Sequence, residues 1–228
     1  MAPKGIGTLG EGSLHAALKE WYAQPGDVLE DSVDGYVIDI RRGGLLIEVQ
    51  TGNFTAVRRK LLNLTRKHAV RLIYPVARDR WIVRQAGEGW QTVSRRRSPK
   101  HGSPVHVFNE LVRFPTLMGH PRFSLEVLLI QEEIIWRDDG QGSWRRRGWS
   151  IYDRRLLDVL ERVLLTSAED CAALLPDGLP AAFSTADLAG ALGESRRLAQ
   201  RMAYCLREMG VIEAAGKHRN ALLYRRCV

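Results

Sequence analysis

Residues Val37 to Phe54 read VIDIRRGGLLIEVQTGNF. Two short apolar runs, Val37–Ile40 and Leu45–Val49, flank Arg41-Arg42-Gly43-Gly44. Gly-Gly supplies the positive φ angles of a two-residue turn, so the stretch reads as a β-hairpin. A turn centred on Gly43-Gly44 places Asp39 opposite Glu48. Side chains alternate along a strand, so Glu48 and Gln50 share a face and Asp39 points the same way. Carboxylates about 5 Å apart at Cβ repel unless a cation or a proton is shared. A hard divalent ion, held by one or two carboxylates and waters, removes that cost. Moving the turn to Arg42-Gly43 keeps Asp39 on the face but shifts it one pair along. Asp34, just before Gly35-Tyr36-Val37-Ile38, is a rival acidic ligand that would need a bulge to face Glu48.

The flanking segments alternate helix and strand. Ser13 can cap a helix whose apolar Leu14, Ala17, Leu18 and Trp21 recur at helical spacing, and Pro25-Gly26 ends it. Asn53 to Lys67 carries Phe54, Val57, Leu61, Leu64 and His68 along one face, with Lys60 on its flank. Val70–Val76 is a buried-type strand bounded by proline, so strand, helix and strand form a βαβ unit in a mixed sheet.

This order, with Glu11 before the first helix, then Asp39, a hairpin and Glu48-x-Gln50, resembles the PD-(D/E)XK nuclease superfamily. The resemblance covers roughly the first third of the chain. Gln50 stands where the family has lysine, and Ile38 where it has proline before the aspartate. It implies an α/β fold with an αβββαβ restriction-endonuclease-like core and a mixed sheet. It further implies Mg²⁺ or Mn²⁺ held by Asp39, Glu48 and Glu11, and a catalytic set of Asp39, Glu48, Gln50, Glu11 and Lys60. In that set Lys60 supplies the missing cation near the scissile phosphate. Glu11 has a second reading as a simple complement to the helix N-terminal dipole.

Composition sets the partner class. The formal charge is +8, and 45% of residues are hydrophobic. That basicity favours a polyanionic partner, because each neutralised phosphate releases counterions. No apolar run approaches ~20 residues, so no membrane span is expected. MAPKGIGTLGEG lacks the apolar centre of a signal peptide, which makes the cytoplasm the expected location. Cys171, Cys205 and Cys227 have no C-x-x-C spacing, against a zinc ribbon or a disulfide framework.

Residues 81–150 read as a basic β-rich extension of a first domain, 1–150. Arg80–Arg84 and Trp90–Ser94 suggest a hairpin, followed by a basic loop with Arg95, Arg96 and Arg97. Val105–Phe114 suggests a short helix, and Ser124–Trp136 is either extended or partly helical. Arg145, Arg146 and Arg147 lie between Trp144 and Trp149, a pairing suited to phosphate contact and base stacking, or equally to solvated cation–π packing.

From Ile151 the spacing of Leu156, Leu157, Leu160, Val163 and Leu164 predicts an amphipathic helix opening a second domain, 151–228. A capping box at Ser184–Asp187, a break at Gly193 and a cap at Ser195 predict two further helices. Two short strands, 211–215 and 222–226, follow Gly210. This run, FSTADLAGALGESRRLAQRMAYCLREMGVI, resembles a winged helix-turn-helix. The resemblance implies duplex DNA contact through Arg196, Arg197, Gln200 and Arg201, with Lys217 and Arg219 in the wing.

Two functions are therefore expected of the chain. One is a Mg²⁺-dependent DNA endonuclease delivered to double-stranded DNA by its winged helix. The other is a non-enzymatic DNA-binding regulator whose degenerate core serves dimerisation or sensing. A homodimer is compatible with both.

Overall fold

The computed structural model describes residues 12–140, 142 and 148–227. Helix α1 (Ser13–Tyr22) buries Leu14, Leu18 and Tyr22. Its N-cap is Gly12, not Ser13 as expected. The Ser13 hydroxyl instead donates to Asp153, 2.9 Å away.

Strands β1 (Val28–Val33), β2 (Tyr36–Arg42) and β3 (Leu45–Val49) form an antiparallel meander. The β1–β2 turn is Asp34-Gly35, both at positive φ, and the β2–β3 turn is Gly43-Gly44. Arg42 pairs with Leu45 and Ile40 with Ile47, the register expected of a Gly-Gly turn. Helix α2 (Arg58–Leu64) then crosses to β4 (Ala69–Ala86), which pairs parallel with β3. The helix is shorter than expected because irregular turns at 54–57 and 65–67 flank it.

Strand β4 runs through Pro75, where a boundary was expected. The Ile73 carbonyl accepts from the Gln50 N–H, so Pro75 faces the same edge just past the end of β3. Its missing N–H therefore costs no ladder bond. Farther along, β5 (Gln91–Arg97) pairs antiparallel with Trp81–Ala86. Arg95, Arg96 and Arg97 thus lie in a strand, correcting the basic loop.

Two 3₁₀ turns, Pro104–Val107 and Pro115–Gly119, bracket the short α3 (Phe108–Leu111). Strand β6 (Phe123–Asp138) resolves the ambiguous segment as extended. The pairs Asp79–Gln131, Arg80–Glu132 and Gln85–Arg137 advance together, so β4 and β6 run parallel.

Strand β7 (Trp149–Leu165) overturns the expected helix over 156–164. The leucine spacing fits a helical face, but β6 offers a hydrogen-bonded neighbour along it, and that tertiary pairing overrides the local period. The sheet order is β1-β2-β3-β4-β6-β7, with β5 added to β4. The expected break after residue 150 therefore falls inside the sheet.

The chain divides into two compact units. One comprises Met1–Pro25, Ala77–Gly102 and Leu129–Glu161; the other comprises Gly26–Val76, Ser103–Leu128 and Arg162–Val228. The second includes α4 (Ala168–Ala172), β8 (Phe183–Ser184), α5 (Thr185–Leu192), α6 (Arg196–Glu208), β9 (Ile212–His218) and β10 (Ala221–Arg226). Ser184 and Asp187 form the expected capping box, Gly193 closes α5 at φ 66°, and Ser195 caps α6. The three strands order as β8-β10-β9. No described helix is long and apolar enough to cross a membrane.

Candidate functional site

The β2–β3 register brings Asp39 and Glu48 together. Continuing one pair beyond Ile40–Ile47 sets the two carboxylates side by side. Asp39 is half-buried, and its Oδ2 accepts from the Val49 N–H at 2.8 Å. Glu48 is 8% exposed. Lys60 reaches back from α2, its Nζ 2.5 Å from Glu48 Oε2 and 2.5 Å from the Val37 carbonyl oxygen. Burial, and then the charge of Asp39, push the Glu48 carboxyl above the ordinary carboxylate range, while the Lys60 ammonium pulls it down.

Three of the five expected catalytic residues thus meet: Asp39, Glu48 and Lys60. Gln50 follows Glu48, but its Nε2 donates to the Asn53 carbonyl, 2.8 Å away, turning the amide into the following loop. Glu11 lies outside the described residues. Among the described residues, no three acidic, histidine or cysteine groups converge to hold a metal. The pair of hard carboxylate oxygens fits a Mg²⁺ or Mn²⁺ ion that keeps several waters, provided Lys60 gives way at Glu48.

Asp34 is excluded as the partner of Glu48. It occupies the β1–β2 turn, where its Oδ2 lies 3.3 Å from Lys67 and 3.2 Å from His68. The hydrogen bond from His68, then that from Lys67, lowers its carboxyl below the usual range. An unanticipated acid sits nearer. The β1–β2 register sets Glu30 opposite Asp39, between the pairs Leu29–Ile40 and Asp31–Ile38. Glu30 is exposed and left-handed at φ 53°. Its only sequence signal was membership of the acidic run Asp27–Asp34.

The expected DNA contacts separate into engaged and open side chains. Arg95 pairs with Glu133 at 2.7 Å and Arg97 with Asp79 at 2.5 Å, and both guanidinium groups lie over Trp81. Arg96 is exposed between them, on the opposite face of β5. On α6, Arg196, Arg197 and Gln200 are exposed. Arg201 is not part of that open face, because its Nη1 donates to Asn109 Oδ1 (2.8 Å) and to the Asn109 carbonyl (3.1 Å). Lys217 and Arg219 are exposed at the β9–β10 turn. Arg145, Arg146 and Arg147 lie outside the described residues.

Sequence reasoning missed the two buried carboxylates of β6. Glu132 is fully buried and gripped by Arg80 at 2.6 Å and Arg154 at 2.7 Å. Glu126, 2% exposed, is bracketed by Arg162 at 2.6 Å and Arg71 at 3.7 Å. The signal was Glu126 and Glu132 at even spacing around Leu128 and Ile130, a strand period with charge on a buried face. Arg137 is likewise sandwiched, 4.8 Å from the Trp90 ring centre and 3.1 Å from that of Tyr152.

Fold and site define an α/β protein with a large mixed sheet and a lysine-bridged carboxylate pair on its central hairpin. The chain belongs to the family described as DUF8091, a domain of unknown function, whose model matches residues 12–166. That match ends just before α4. An uncharacterized protein of Treponema pallidum (strain Nichols) is 33% identical over 223 residues, covering 97% of this chain and 87% of the relative. No solved structure matches.

Proposed function

We propose that the chain acts on DNA, hydrolysing phosphodiester bonds at the Asp39–Glu48–Lys60 site after the manner of the PD-(D/E)XK nucleases. The observation that carries this is the placement of Asp39 beside Glu48 with the Lys60 ammonium on Glu48. Carboxylates on paired strands with one lysine are what such chemistry asks of a protein. A bound Mg²⁺ or Mn²⁺ would supply an activated water and shield the developing phosphate charge. Asp39 and Glu48 would hold the ion. Lys60 would turn from Glu48 to the phosphate oxygens, and Gln50 would orient water once its amide leaves Asn53.

Residues 168–226 support a winged helix-turn-helix reading. α5 and α6 are joined at Gly193, and a basic hairpin with Lys217 and Arg219 at its tip follows them. In that reading the open face of α6, with Arg196, Arg197 and Gln200, enters the major groove of duplex DNA. Arg96 adds a phosphate contact from β5.

The second reading, a DNA-binding regulator with a degenerate core, rests on the same lysine. Lys60 already neutralises Glu48, so the hairpin needs no metal to be stable. Supercoiled plasmid separates the two. Nicking in Mg²⁺ or Mn²⁺, its loss in EDTA and its abolition by Glu48→Ala with DNA binding retained establish the enzyme. A wild type inert with every metal, and a Gln50→Lys variant that gains cleavage, establish the decayed core. Absence of DNA binding at low salt defeats both.

A further inference from the structure

Strand β7 is 17 residues long and ends the sheet, so among the described residues no strand pairs with its outer edge. Ile151, Tyr152, Leu157, Leu160 and Leu164 are exposed on it, more large apolar side chains than any other described element leaves open. Odd and even positions both appear in that set, so both faces of the strand are uncovered. The strand holds no Gly or Pro and no register shift is needed to extend it. A long, regular edge of this kind is a template for another strand.

We infer that β7 pairs with β7 of a second copy of this chain, antiparallel about a two-fold axis, continuing the sheet across the dimer. Symmetry restricts the register. Facing residues must share a face, and the two copies are identical, so each residue meets one of the same odd or even parity. One such register satisfies the sequence. With Asp158 on the axis, Tyr152 faces Leu164, Leu156 faces Leu160, Leu157 faces Val159 and Ile151 faces Leu165. Arg155 faces Glu161, giving two symmetric ion pairs. Both charges are half-exposed and hold only long contacts now, Arg155 to Asp153 at 3.6 Å and Glu161 to Arg78 at 3.8 Å. Arg154 and Arg162 also face each other, but each is already neutralised by its own buried glutamate. Moving the axis one residue back to Leu157 sets Asp153 against Glu161 twice. The sole like-charge contact left in the chosen register is Asp158 against its own copy.

Sedimentation and oxidative cross-linking of the full chain test this. The wild type is expected to sediment as a dimer. Leu160→Glu, and independently Leu157→Lys, should raise the dimer dissociation constant about a hundredfold, because the two-fold repeats each change. Both sites are exposed in the single chain, so the melting temperature of the dissociated variants reports whether the fold survives. In a Cys227→Ser background, Asp158→Cys should form an intermolecular disulfide on oxidation, while Val159→Cys should not. A wild type that stays monomeric up to its solubility limit overturns the inference. So does a dimer that ignores both leucine changes and fails to cross-link through Asp158→Cys, since it must form elsewhere. None of these readouts depends on DNA or on cleavage.

Discussion

Lys60 Nζ lies 2.5 Å from both Glu48 Oε2 and the Val37 carbonyl oxygen. Helix α2 thereby ties the two strands of the hairpin together, β2 through its backbone and β3 through its buried carboxylate. Removing that lysine separates its structural share from any share in chemistry.

Lys60→Ala should cost about 2–4 kcal/mol, since it leaves the Glu48 carboxylate buried beside Asp39 without a cation. Lys60→Ala combined with Glu48→Gln should lose less than Lys60→Ala alone, because the amide carries no charge to strand. Urea unfolding of the four proteins measures the coupling. Equal losses in the single and the double variant would mean that the ion pair contributes nothing.

The raised carboxyl of Glu48 also has a sign that can be checked. Its folded form holds its proton to higher pH than the unfolded chain, whose value is the usual 4.5. The stability it contributes is full below that value and is lost as pH rises through the folded value. Glu48→Gln should therefore flatten part of the decline in stability above about pH 4.5, read from denaturation midpoints across a pH series. A steeper decline in the variant contradicts the direction of the shift.

Duplex DNA binding should distinguish neighbours on α6. Arg197→Ala should weaken binding and reduce the salt slope by about one, as expected for a lost phosphate contact. Arg201→Ala should chiefly lower the melting temperature, because its guanidinium holds Asn109 on α3. Fluorescence anisotropy at several salt concentrations, with thermal melts alongside, reads both. If Arg201→Ala alone abolishes binding while the melt is unmoved, the roles are reversed.

The hairpin was legible because its information is local. Gly43-Gly44 fixes a turn, the turn fixes a register, and the register alone sets Asp39 by Glu48. Lys60 was legible for a similar reason, since α2 follows the hairpin directly and crosses over it. The capping residues Ser184 and Ser195 act within three residues of themselves, and both were found. The failures share one cause. Leu156, Leu157, Leu160 and Leu164 fit a helical period, and only β6, a partner distant in the sheet order, makes the segment a strand. Arg95 and Arg97 read as a free basic cluster because Glu133 and Asp79, which neutralise them, lie on other strands. Arg201 read as a DNA contact because Asn109 is far away in sequence.

Glu132→Ala should destabilise the chain by about 2–3 kcal/mol. That is less than for a sealed ion pair, because Arg80 and Arg154 retain 35% and 30% of their side-chain exposure and can turn to water. Glu132→Met, which fills the space without the charge, should lose about as much or more, since both arginines still point at a buried apolar group. Chemical denaturation decides; a neutral Glu132→Met would show the charges to be dispensable.

Each compact unit is assembled from three separated stretches of chain, the last closing at Glu161 in one and at Val228 in the other. A ribosome making this protein therefore releases Val28–Val76 long before the segments that complete that unit exist. The nascent strands β1 to β4 must wait, with Ile38, Ile40, Ile47 and Ile73 uncovered, while another hundred or so residues are made. At ordinary elongation rates that wait lasts about 5–20 s. Synthesis, not the finished fold, is then the stage at which this chain depends most on a chaperone's shelter, and a slowed ribosome should cost it yield before any surface substitution does.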